Sequence, residues 1–230
     1  MLNRPVVLLF DIDGTLLTCG GAGRRAMERA IRERTEKIVA DFSFGGMTDR
    51  AIVRQALTRA GLEIDDGLLD ATLERYLTHL ADELPRASGY AVLAGVHEVL
   101  DVLEDERARG APLAIGLGTG NLVRGAELKL RPVRLWGRFG FGGYGSDDED
   151  RAALLRHGAE RGARALQASD AGAVDVVVIG DTPRDVHAAR AIGARCIAVA
   201  TGAFDRAALA AESPDVLLDS LRGFELGHLF

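Results

Sequence analysis

Three short clusters of polar residues directly follow apolar segments and could together perform chemistry. The first is Asp11-Ile12-Asp13-Gly14-Thr15, the second is Gly118-Thr119-Gly120-Asn121, and the third is Gly180-Asp181-Thr182-Pro183-Arg184-Asp185. Each cluster stands at the carboxyl end of a predicted buried strand, which is where open parallel sheets bind their ligands. We therefore expect the three clusters to meet at one edge of a sheet.

The carboxylates of these clusters would repel one another at close range unless a cation joined them. An oxygen-only ligand set, with no His or Cys cluster beside it, favours Mg²⁺ over Zn²⁺. Mg²⁺ held by few carboxylates commonly shares an oxygen with a phosphorylated substrate. A small hydroxyl such as that of Thr119 and backbone amides near a helix start suit a phosphoryl group. The pattern predicts phosphoryl transfer, in which an aspartate can act as the nucleophile and form an acyl phosphate.

Apolar segments predict the strands that position these clusters. They cover residues 5–10, 113–117, 174–179 and 195–200, with a further strand expected at 215–218. Their Val, Ile and Leu content with little alternation is typical of strands buried on both faces of a parallel sheet. Thr182 and Pro183 mark one helix start, and Ser146 with Glu149 is spaced as a capping box for another. The expected fold class is α/β, with a doubly wound, mainly parallel, Rossmann-like sheet.

A long helical excursion interrupts the alternation of strands and helices. Between Phe10 and Leu113 the sequence shows several amphipathic helical stripes in succession and no convincing strand. The pattern predicts a core domain of residues 1–17 and 89–230, with residues 18–88 inserted as an α-helical cap. Glycines 20, 21 and 23 and the segment 85–89 are the expected hinges.

The composition excludes several classes of protein. The 230 residues carry 28 Lys and Arg against 34 Asp and Glu, a formal net charge of −6. An acidic total argues against broad binding to nucleic acid or to an anionic membrane. Cys19 and Cys196 are too few for a disulfide framework, so we expect reduced thiols and a cytoplasmic location. No apolar run approaches the ~20 residues of a membrane helix, and the run from Val6 to Phe10 is too short for a signal-peptide core.

Two of the polar clusters resemble signatures of a known family. Asp-Ile-Asp-Gly-Thr-Leu at residues 11–16, directly after an apolar strand, is similar to the first signature of the haloacid dehalogenase (HAD) superfamily. Gly-Asp-Thr-Pro-Arg-Asp at residues 180–185 is similar to the fourth, and Thr119 stands where the second belongs. A helical cap between the first and second signatures is also a feature of the family. The resemblance therefore covers nearly the whole chain, and it points to the phosphoglycolate phosphatase-like branch with a helical cap.

The resemblance implies a role for each matching residue. Asp11 would attack phosphorus, and Asp13 would act as general acid and then as general base. Mg²⁺ would be held by Asp11, the backbone carbonyl of Asp13 and Asp181, with Asp185 behind them or as an alternative ligand. Thr119, Gly120 and Arg151 would bind the phosphoryl group beside Asp11.

The third signature is where the sequence departs from the family. The family usually carries a lysine there, ahead of a helix, to offset the crowded carboxylates, whereas Arg151 stands at the corresponding helix head here. Arg151 is the first candidate for this cation, and Lys129, closer to Thr119 in the sequence, is the second. Arginine keeps the charge and can fork two oxygens, but its shape differs from that of lysine.

The leading hypothesis is a Mg²⁺-dependent phosphatase that hydrolyses a small phosphomonoester through an aspartyl-phosphate intermediate, with cap closure excluding water. A phosphoryl-transferring mutase of the same family would use the same residues. A receiver-like or otherwise non-catalytic phospho-binding module is the alternative from another class, although receivers are shorter and lack a long helical insert. A haloacid dehalogenase is disfavoured because that branch lacks the second aspartate and needs no metal.

The expected partner is a small phosphorylated metabolite rather than a nucleic acid or a membrane, and the sequence carries no signal for an oligomeric state. Specificity would come from the cap. The candidates are Arg24, Arg25, Thr48, Asp49 and Arg50, with the turn at residues 44–47 expected to hang over the opening.

Overall fold

Eight strands and eight α-helices follow one another along the part of the chain described by the computed structural model, residues 4–35 and 41–229. In chain order they are β1 (Val6–Phe10), β2 (Leu17–Cys19), α1 (Ala22–Thr35), α2 (Asp49–Ala60), α3 (Asp66–Glu83), β3 (Tyr90–Val92), α4 (Val96–Ala108), β4 (Leu113–Thr119), α5 (Val123–Leu130), β5 (Gly142–Tyr144), α6 (Arg151–Ala165), β6 (Asp175–Gly180), α7 (Pro183–Ala191), β7 (Arg195–Val199), α8 (Arg206–Ala211) and β8 (Val216–Leu218).

A six-stranded sheet with the order β5-β4-β1-β6-β7-β8 forms the centre of the molecule. Its neighbouring strands all run parallel. The chain builds the sheet outward from β1 first on one side and then on the other, so the strand order reverses at β1. A crevice opens outside the carboxyl ends of the strands at such a switch point. This topology confirms the predicted doubly wound parallel fold.

The central strand β1 is buried on both faces because its alternate side chains enter two different apolar clusters. Leu8 and Phe10 pack into the cluster on one face of the sheet, whereas Val7 and Leu9 pack into the cluster on the other. Each of these four side chains is fully buried, which stabilises the fold by roughly 1.5–3 kcal/mol per side chain. The apolar run without alternation predicted this arrangement correctly.

A pair of short strands joins the cap helices to the core. β2 and β3 pair antiparallel, with Leu17 opposite Val92 and Cys19 opposite Tyr90, and α1, α2 and α3 lie between them in the chain. The expectation that no strand lies between Phe10 and Leu113 is therefore wrong. Each strand has only three residues, too few for an alternating pattern to stand out.

The division into a core of 1–17 and 89–230 and a cap of 18–88 stays a prediction. Residues 1–3, 36–40 and 230 of these predicted domains lie outside the described residues. None of the helices in the described part of the chain is long and apolar enough to cross a membrane. Cys19 and Cys196 are both free thiols in buried positions.

The helix that carries Arg151 begins differently from the prediction. The N-cap of α6 is Asp150, whose side chain accepts a hydrogen bond from Ala153 N at 2.8 Å. The proposed capping box of Ser146 and Glu149 does not form, because the Ser146 hydroxyl instead accepts from Val123 N at 3.0 Å. Aspartate at position 150 satisfies the same free amides of the first turn equally well. Arg151 becomes the first residue of the helix and points toward the sheet edge.

Candidate active site

Three strand ends bring the predicted clusters to one edge of the sheet. Phe10, the last residue of β1, pairs with Leu117 on β4 and with Ile179 on β6. Asp11 therefore stands level with Gly118 and Gly180, and its backbone N donates to Ile179 O at 2.9 Å. A cavity of about 550 Å³ opens at this edge, between the sheet and the cap helices.

The structure brings all eight predicted site residues to this edge. Six of them line the cavity: Asp11, Asp13, Gly120, Lys129, Arg151 and Asp181. Thr119 and Asp185 are fully buried behind the cavity wall. From these two positions they contact the lining residues rather than the open space.

Arg151 supplies the positive charge beside Asp11. Its Nη2 lies 2.9 Å from Asp11 Oδ2, and its Nε donates to Asp185 Oδ1 at 2.9 Å. Burial raises the pKa of Asp11 to about 6, and the Arg151 guanidinium acts against that rise. A planar guanidinium suits this position because its N–H groups diverge at fixed angles and can bridge two carboxylates.

Asp11, Asp181 and Asp185 form a buried carboxylate cluster, with one oxygen of each within 4.8 Å of the others. Asp181 fits there because two glycines make room for it. A Cβ at Gly202 would lie 1.7 Å from Asp181 Oδ2, and one at Gly14 would lie 2.3 Å from the same oxygen. Burial, followed by the charges of Asp185 and Asp11, holds the pKa of Asp181 well above its usual range.

The chemistry of this cluster fits a hard divalent cation, because its donors are carboxylate oxygens and each buried negative charge is costly without a positive partner. Asp185 is the most constrained of the three. Its Oδ2 accepts from Thr182 N at 3.0 Å and from Thr182 Oγ1 at 2.7 Å, which completes the capping box of α7. Its Oδ1 accepts from Arg151.

Lys129, the second candidate for the site cation, contacts Asp13 and not the nucleophile position. Its Nζ lies 2.6 Å from Asp13 Oδ2. Desolvation in the cavity raises the pKa of Asp13 and the Lys129 ammonium lowers it, and the balance lies below the usual range of an aspartate. The two candidate cations are thus both at the site, each on a different aspartate.

Asn121 is a site residue that the sequence reading did not single out. Its Nδ2 donates to Asp13 Oδ2 at 2.9 Å and to Thr119 Oγ1 at 2.8 Å, and its Oδ1 accepts from Lys129 Nζ at 2.6 Å. The signal was present, since Asn121 follows Thr119 by two residues at a strand end. A side-chain amide in that position is also common at helix starts, which made it uninformative by itself.

The N-terminus of the cap helix α2 docks on the loop that follows β4. Asp49 N donates to Gly120 O at 2.8 Å, and Asp49 Oδ2 accepts from Leu122 N at 2.9 Å. Gly120 permits this contact because a Cβ there would lie 2.5 Å from Met47 O. The Thr48 hydroxyl adds a further link by donating to Glu149 O at 3.1 Å.

The structure separates the candidate cap residues into two groups. Arg24, Asp49 and the turn at residues 44–47 line the cavity. Arg25 and Arg50 instead form ion pairs with Glu83 at 2.8 Å and with Asp70 at 2.9 Å. Thr48 caps α2 by accepting from Ala51 N.

Comparison with known proteins agrees with this geometry. The HAD-hydrolase-like family model matches residues 156–224. A phosphoglycolate phosphatase from Pseudomonas putida is 26% identical over 226 residues, which cover 95% of this chain and 78% of that protein. A probable phosphatase, IndB, from Dickeya dadantii is 26% identical over 223 residues, which cover 94% of this chain and 90% of that protein.

The fold also matches solved structures. The crystal structure of CbbY from Rhodobacter sphaeroides, in complex with phosphate, superposes with a TM-score of 0.68 at 17% identity and covers 98% of this chain and 99% of that one. At this identity the likeness concerns the fold. The signature residues nevertheless occur in the family's order, and the sheet brings them to one edge. The chain is therefore similar to HAD-hydrolase-like proteins over residues 156–224 and to two phosphatases along most of its length, and it shares the fold of this solved structure.

Proposed function

We propose that this protein is a Mg²⁺-dependent phosphatase that hydrolyses a small phosphomonoester through a phosphorylated Asp11. The observation that carries the proposal is the placement of the Asp11 carboxylate. It lies at the cavity, 2.9 Å from Arg151, in a cluster with Asp181 and Asp185, and two residues before Asp13. The names of the two relatives, both phosphatases, support the same activity.

The carboxylates of Asp11 and Asp181 and the backbone carbonyl of Asp13 would hold the metal. Asp185 would lie behind these metal ligands rather than bind the metal first, since its oxygens already accept hydrogen bonds from Thr182 and Arg151. When bound, Mg²⁺ would neutralise charge on the carboxylates and on the phosphoryl oxygens.

In the first step, an oxygen of Asp11 attacks phosphorus and the bond from phosphorus to the ester oxygen breaks. Asp13 gives its proton to that ester oxygen, which leaves as an alcohol. Asp13 is held as a carboxylate in the structure by Lys129, and the arriving phosphate dianion would raise its pKa because like charges favour protonation. Arg151 and the backbone of Gly120 would stabilise the negative charge of the transferring group, with Thr119 buried behind them against the lining residues.

In the second step, water attacks the phosphorus of the aspartyl phosphate. Asp13, now a carboxylate, takes the proton from the water, and the bond between phosphorus and the Asp11 oxygen breaks to release inorganic phosphate. The predicted cap would limit access of bulk water to the cavity. A volume of about 550 Å³ is in the ordinary range for a small-molecule site.

Turnover of p-nitrophenyl phosphate with and without Mg²⁺ tests the proposal. We expect the wild-type protein to release phosphate with Mg²⁺ and to lose activity in EDTA, and Asp11→Asn to be inactive under both conditions. Asp105→Asn, an exposed position on α4, is the matched control and should behave as wild type. Acid quenching should trap a phosphorylated wild-type protein that hydroxylamine cleaves.

Product analysis separates the remaining possibilities. A mutase would convert a sugar phosphate into its isomer faster than it releases phosphate. A non-catalytic module would bind a phosphorylated ligand without releasing phosphate from any compound in a panel of sugar phosphates, phosphoglycolate, nucleotides and pyrophosphate. Full activity of Asp11→Asn would contradict the proposed nucleophile.

A further inference from the structure

The two cationic side chains of the site contact different carboxylates. Arg151 lies beside Asp11 and Asp185, whereas Lys129 lies beside Asp13. The side chain of Lys129 is only 4% exposed, while that of Asp13 is 44% exposed and borders the cavity. The ammonium is thus largely enclosed, although Lys129 also borders the cavity, and the Asp13 carboxylate is the more accessible partner of the pair.

Lys129 and Asn121 both bind the same oxygen of Asp13. Lys129 Nζ donates to Oδ2 at 2.6 Å, and Asn121 Nδ2 donates to Oδ2 at 2.9 Å. The amide orientation of Asn121 is fixed, because its Oδ1 accepts from the ammonium at 2.6 Å while its Nδ2 faces the carboxylate. Among the described residues, the contact at the other oxygen, Oδ1, is the weak thiol donor of Cys19 at 3.6 Å.

We propose that Lys129 and Asn121 are positioning residues that hold Oδ2 of Asp13 and leave Oδ1 as the oxygen that exchanges a proton with the leaving group. This inference rests on the proposed phosphatase function. Oδ2 already accepts two N–H donors, so a proton on that oxygen would have to displace one of them. Oδ1 accepts from the weak Cys19 thiol, which a proton displaces more easily than an ammonium or amide donor. In the first step the O–H bond at Oδ1 breaks as the leaving alcohol gains its proton, and in the second step Oδ1 regains a proton from water.

The arrangement is better explained by catalysis than by stability. An ion pair with an enclosed cation contributes little net stability, because removing the ammonium from water costs about as much as the attraction to Asp13 returns. Lys129 is also enclosed by the cap, since a Cβ at Gly23 of α1 would lie 3.5 Å from Nζ. Precise placement of an acid–base group matters strongly for rate, since a displacement of about 1 Å can lower activity about 10²-fold.

A pair of aryl phosphates of similar shape tests the proposal. p-Nitrophenolate leaves readily without a proton, whereas phenolate is a poorer leaving group and depends more on the general acid. We expect Lys129→Met to lower kcat/KM for phenyl phosphate by about 10²-fold or more, the scale of a lost general acid. The same variant should lower kcat/KM for p-nitrophenyl phosphate by less than about tenfold. It should also show a burst of p-nitrophenolate, because the second step still needs Asp13 as base.

Three further variants sharpen the result. Asp13→Asn should show the same selective loss, and combining it with Lys129→Met should add almost nothing, because both changes act through one group. Arg124→Met, on the exposed face of the same helix α5, is the matched control and should leave the ratio of the two substrates unchanged. Asn121→Ala keeps the charges of Lys129 and Asp13. It should change the ratio of the kcat/KM values for the two aryl phosphates in the same direction as Lys129→Met does.

The outcomes separate this inference from the function on which it rests. Equal losses on the two substrates, or losses that add fully to that of Asp13→Asn, would overturn the positioning role. If Lys129→Met does not fold, an unchanged ratio of kcat/KM values for the two aryl phosphates in Asn121→Ala would overturn the positioning role instead. A wild-type protein that hydrolyses neither aryl phosphate would overturn the proposed phosphatase itself.

Discussion

At the scale of single residues, the geometry of Arg151 explains how arginine can stand where the signature that this sequence resembles usually has lysine. Its guanidinium reaches Asp11 and Asp185 at the same time, because Nη2 lies beside both carboxylates and Nε adds a second contact with Asp185. A lysine ammonium is a point charge on a flexible chain, and at the position of Nη2 it would lack the second donor that Nε supplies to Asp185. The second contact with Asp185 is therefore specific to the shape of the side chain and not only to its charge.

Substituting Arg151 should affect activity and stability in different degrees. We expect Arg151→Met to lower kcat by about 10²–10³-fold, the usual loss when one stabilising donor of a transition state is removed. It should also lower the free energy of unfolding by about 3 kcal/mol or more, because two buried carboxylates lose their partner. Arg151→Lys should recover most of the stability and only part of kcat. Urea unfolding and p-nitrophenyl phosphate turnover give the two values, and an Arg151→Lys protein with wild-type kcat would contradict the bridging role.

The sequence predicted which residues lie at the site better than it predicted which of them form ion pairs with one another. Asp11, Thr119 and Asp181 follow strands, so their common location followed from the rule that parallel strands end at one edge. Lys129 lies on a helix, and its partner depends on how α5 packs against the cap. The pairing with Asp13 is set by tertiary contacts across 116 residues of chain, and no local pattern encodes it.

At the scale of elements, the contact between α2 and the loop after β4 makes the cap sensitive to pH. Asp49 begins α2 and is buried against that loop. Burial raises its pKa from 3.8 to about 6, despite the opposing effect of Lys129. A carboxyl group with a raised pKa binds its proton more tightly in the folded state. Stability is therefore highest below pH 4 for this group and falls as the pH rises through the window from about 4 to about 6.

We expect Asp49→Asn to remove this penalty. The shift from 3.8 to about 6 corresponds to about 3 kcal/mol at neutral pH. An asparagine oxygen can still accept from Leu122 N. The free energy of unfolding of the variant minus that of wild type should therefore increase from pH 4 to pH 7, as measured by urea unfolding. Asp66→Asn, at the exposed first position of α3, is the matched control. The same stability difference at both pH values in Asp49→Asn would count against the burial argument.

The docking of α2 also depends on the absence of a side chain at Gly120. We expect Gly120→Ala to displace the backbone near Met47, because its Cβ would lie 2.5 Å from Met47 O. Overpacking of this kind costs about 1–3 kcal/mol, and the cap should become easier to cleave by protease. Gly137→Ala is the control, since a Cβ there meets nothing within 4 Å. Limited proteolysis of both variants measures the effect, and equal protection would contradict it.

The elements that the sequence failed to predict share a physical reason. β5 consists of Gly142, Gly143 and Tyr144, and glycine-rich segments carry no strand pattern. Gly143 is required there by packing, because a Cβ would lie 1.8 Å from Leu154 O of α6. Such a constraint comes from a neighbouring element and is invisible in the local sequence. The strands that were predicted, β1, β4, β6, β7 and the further strand expected at 215–218 (β8), are those with a run of apolar side chains.

At the scale of the whole molecule, cap and core share one apolar cluster. Met27 of α1 and Leu57 of α2 belong to the same buried cluster as Leu8 and Phe10 of the sheet. The apolar composition therefore does not change between the predicted core and the predicted cap, and the prediction of a boundary rests on the change in spacing of strands and helices alone. The carboxylate cluster, by contrast, exists only when β1 and β6 are folded side by side, so its binding properties belong to the folded state.

Because the carboxylate cluster forms only in the folded protein, we expect Mg²⁺ to stabilise the whole protein. A ligand that binds only the folded state raises the free energy of unfolding by about 2.7 kcal/mol at 100 times its Kd. We expect Mg²⁺ to raise the Tm at pH 8 and to do so less at pH 5. Burial holds the pKa of Asp11 at about 6 and that of Asp181 well above its usual range, so protons compete with the metal at lower pH.

Asp181→Asn distinguishes this cluster from general binding of cations to an acidic protein. Without metal, the variant should be at least as stable as wild type, because one of three mutually repelling carboxylates is gone. With Mg²⁺, its Tm should stay constant, whereas that of Asp105→Asn should rise as in wild type. Thermal unfolding across a Mg²⁺ titration provides the comparison. A Tm increase in Asp181→Asn equal to that of wild type would place the metal elsewhere on the protein and would remove the electrostatic basis for gathering these carboxylates at one sheet edge.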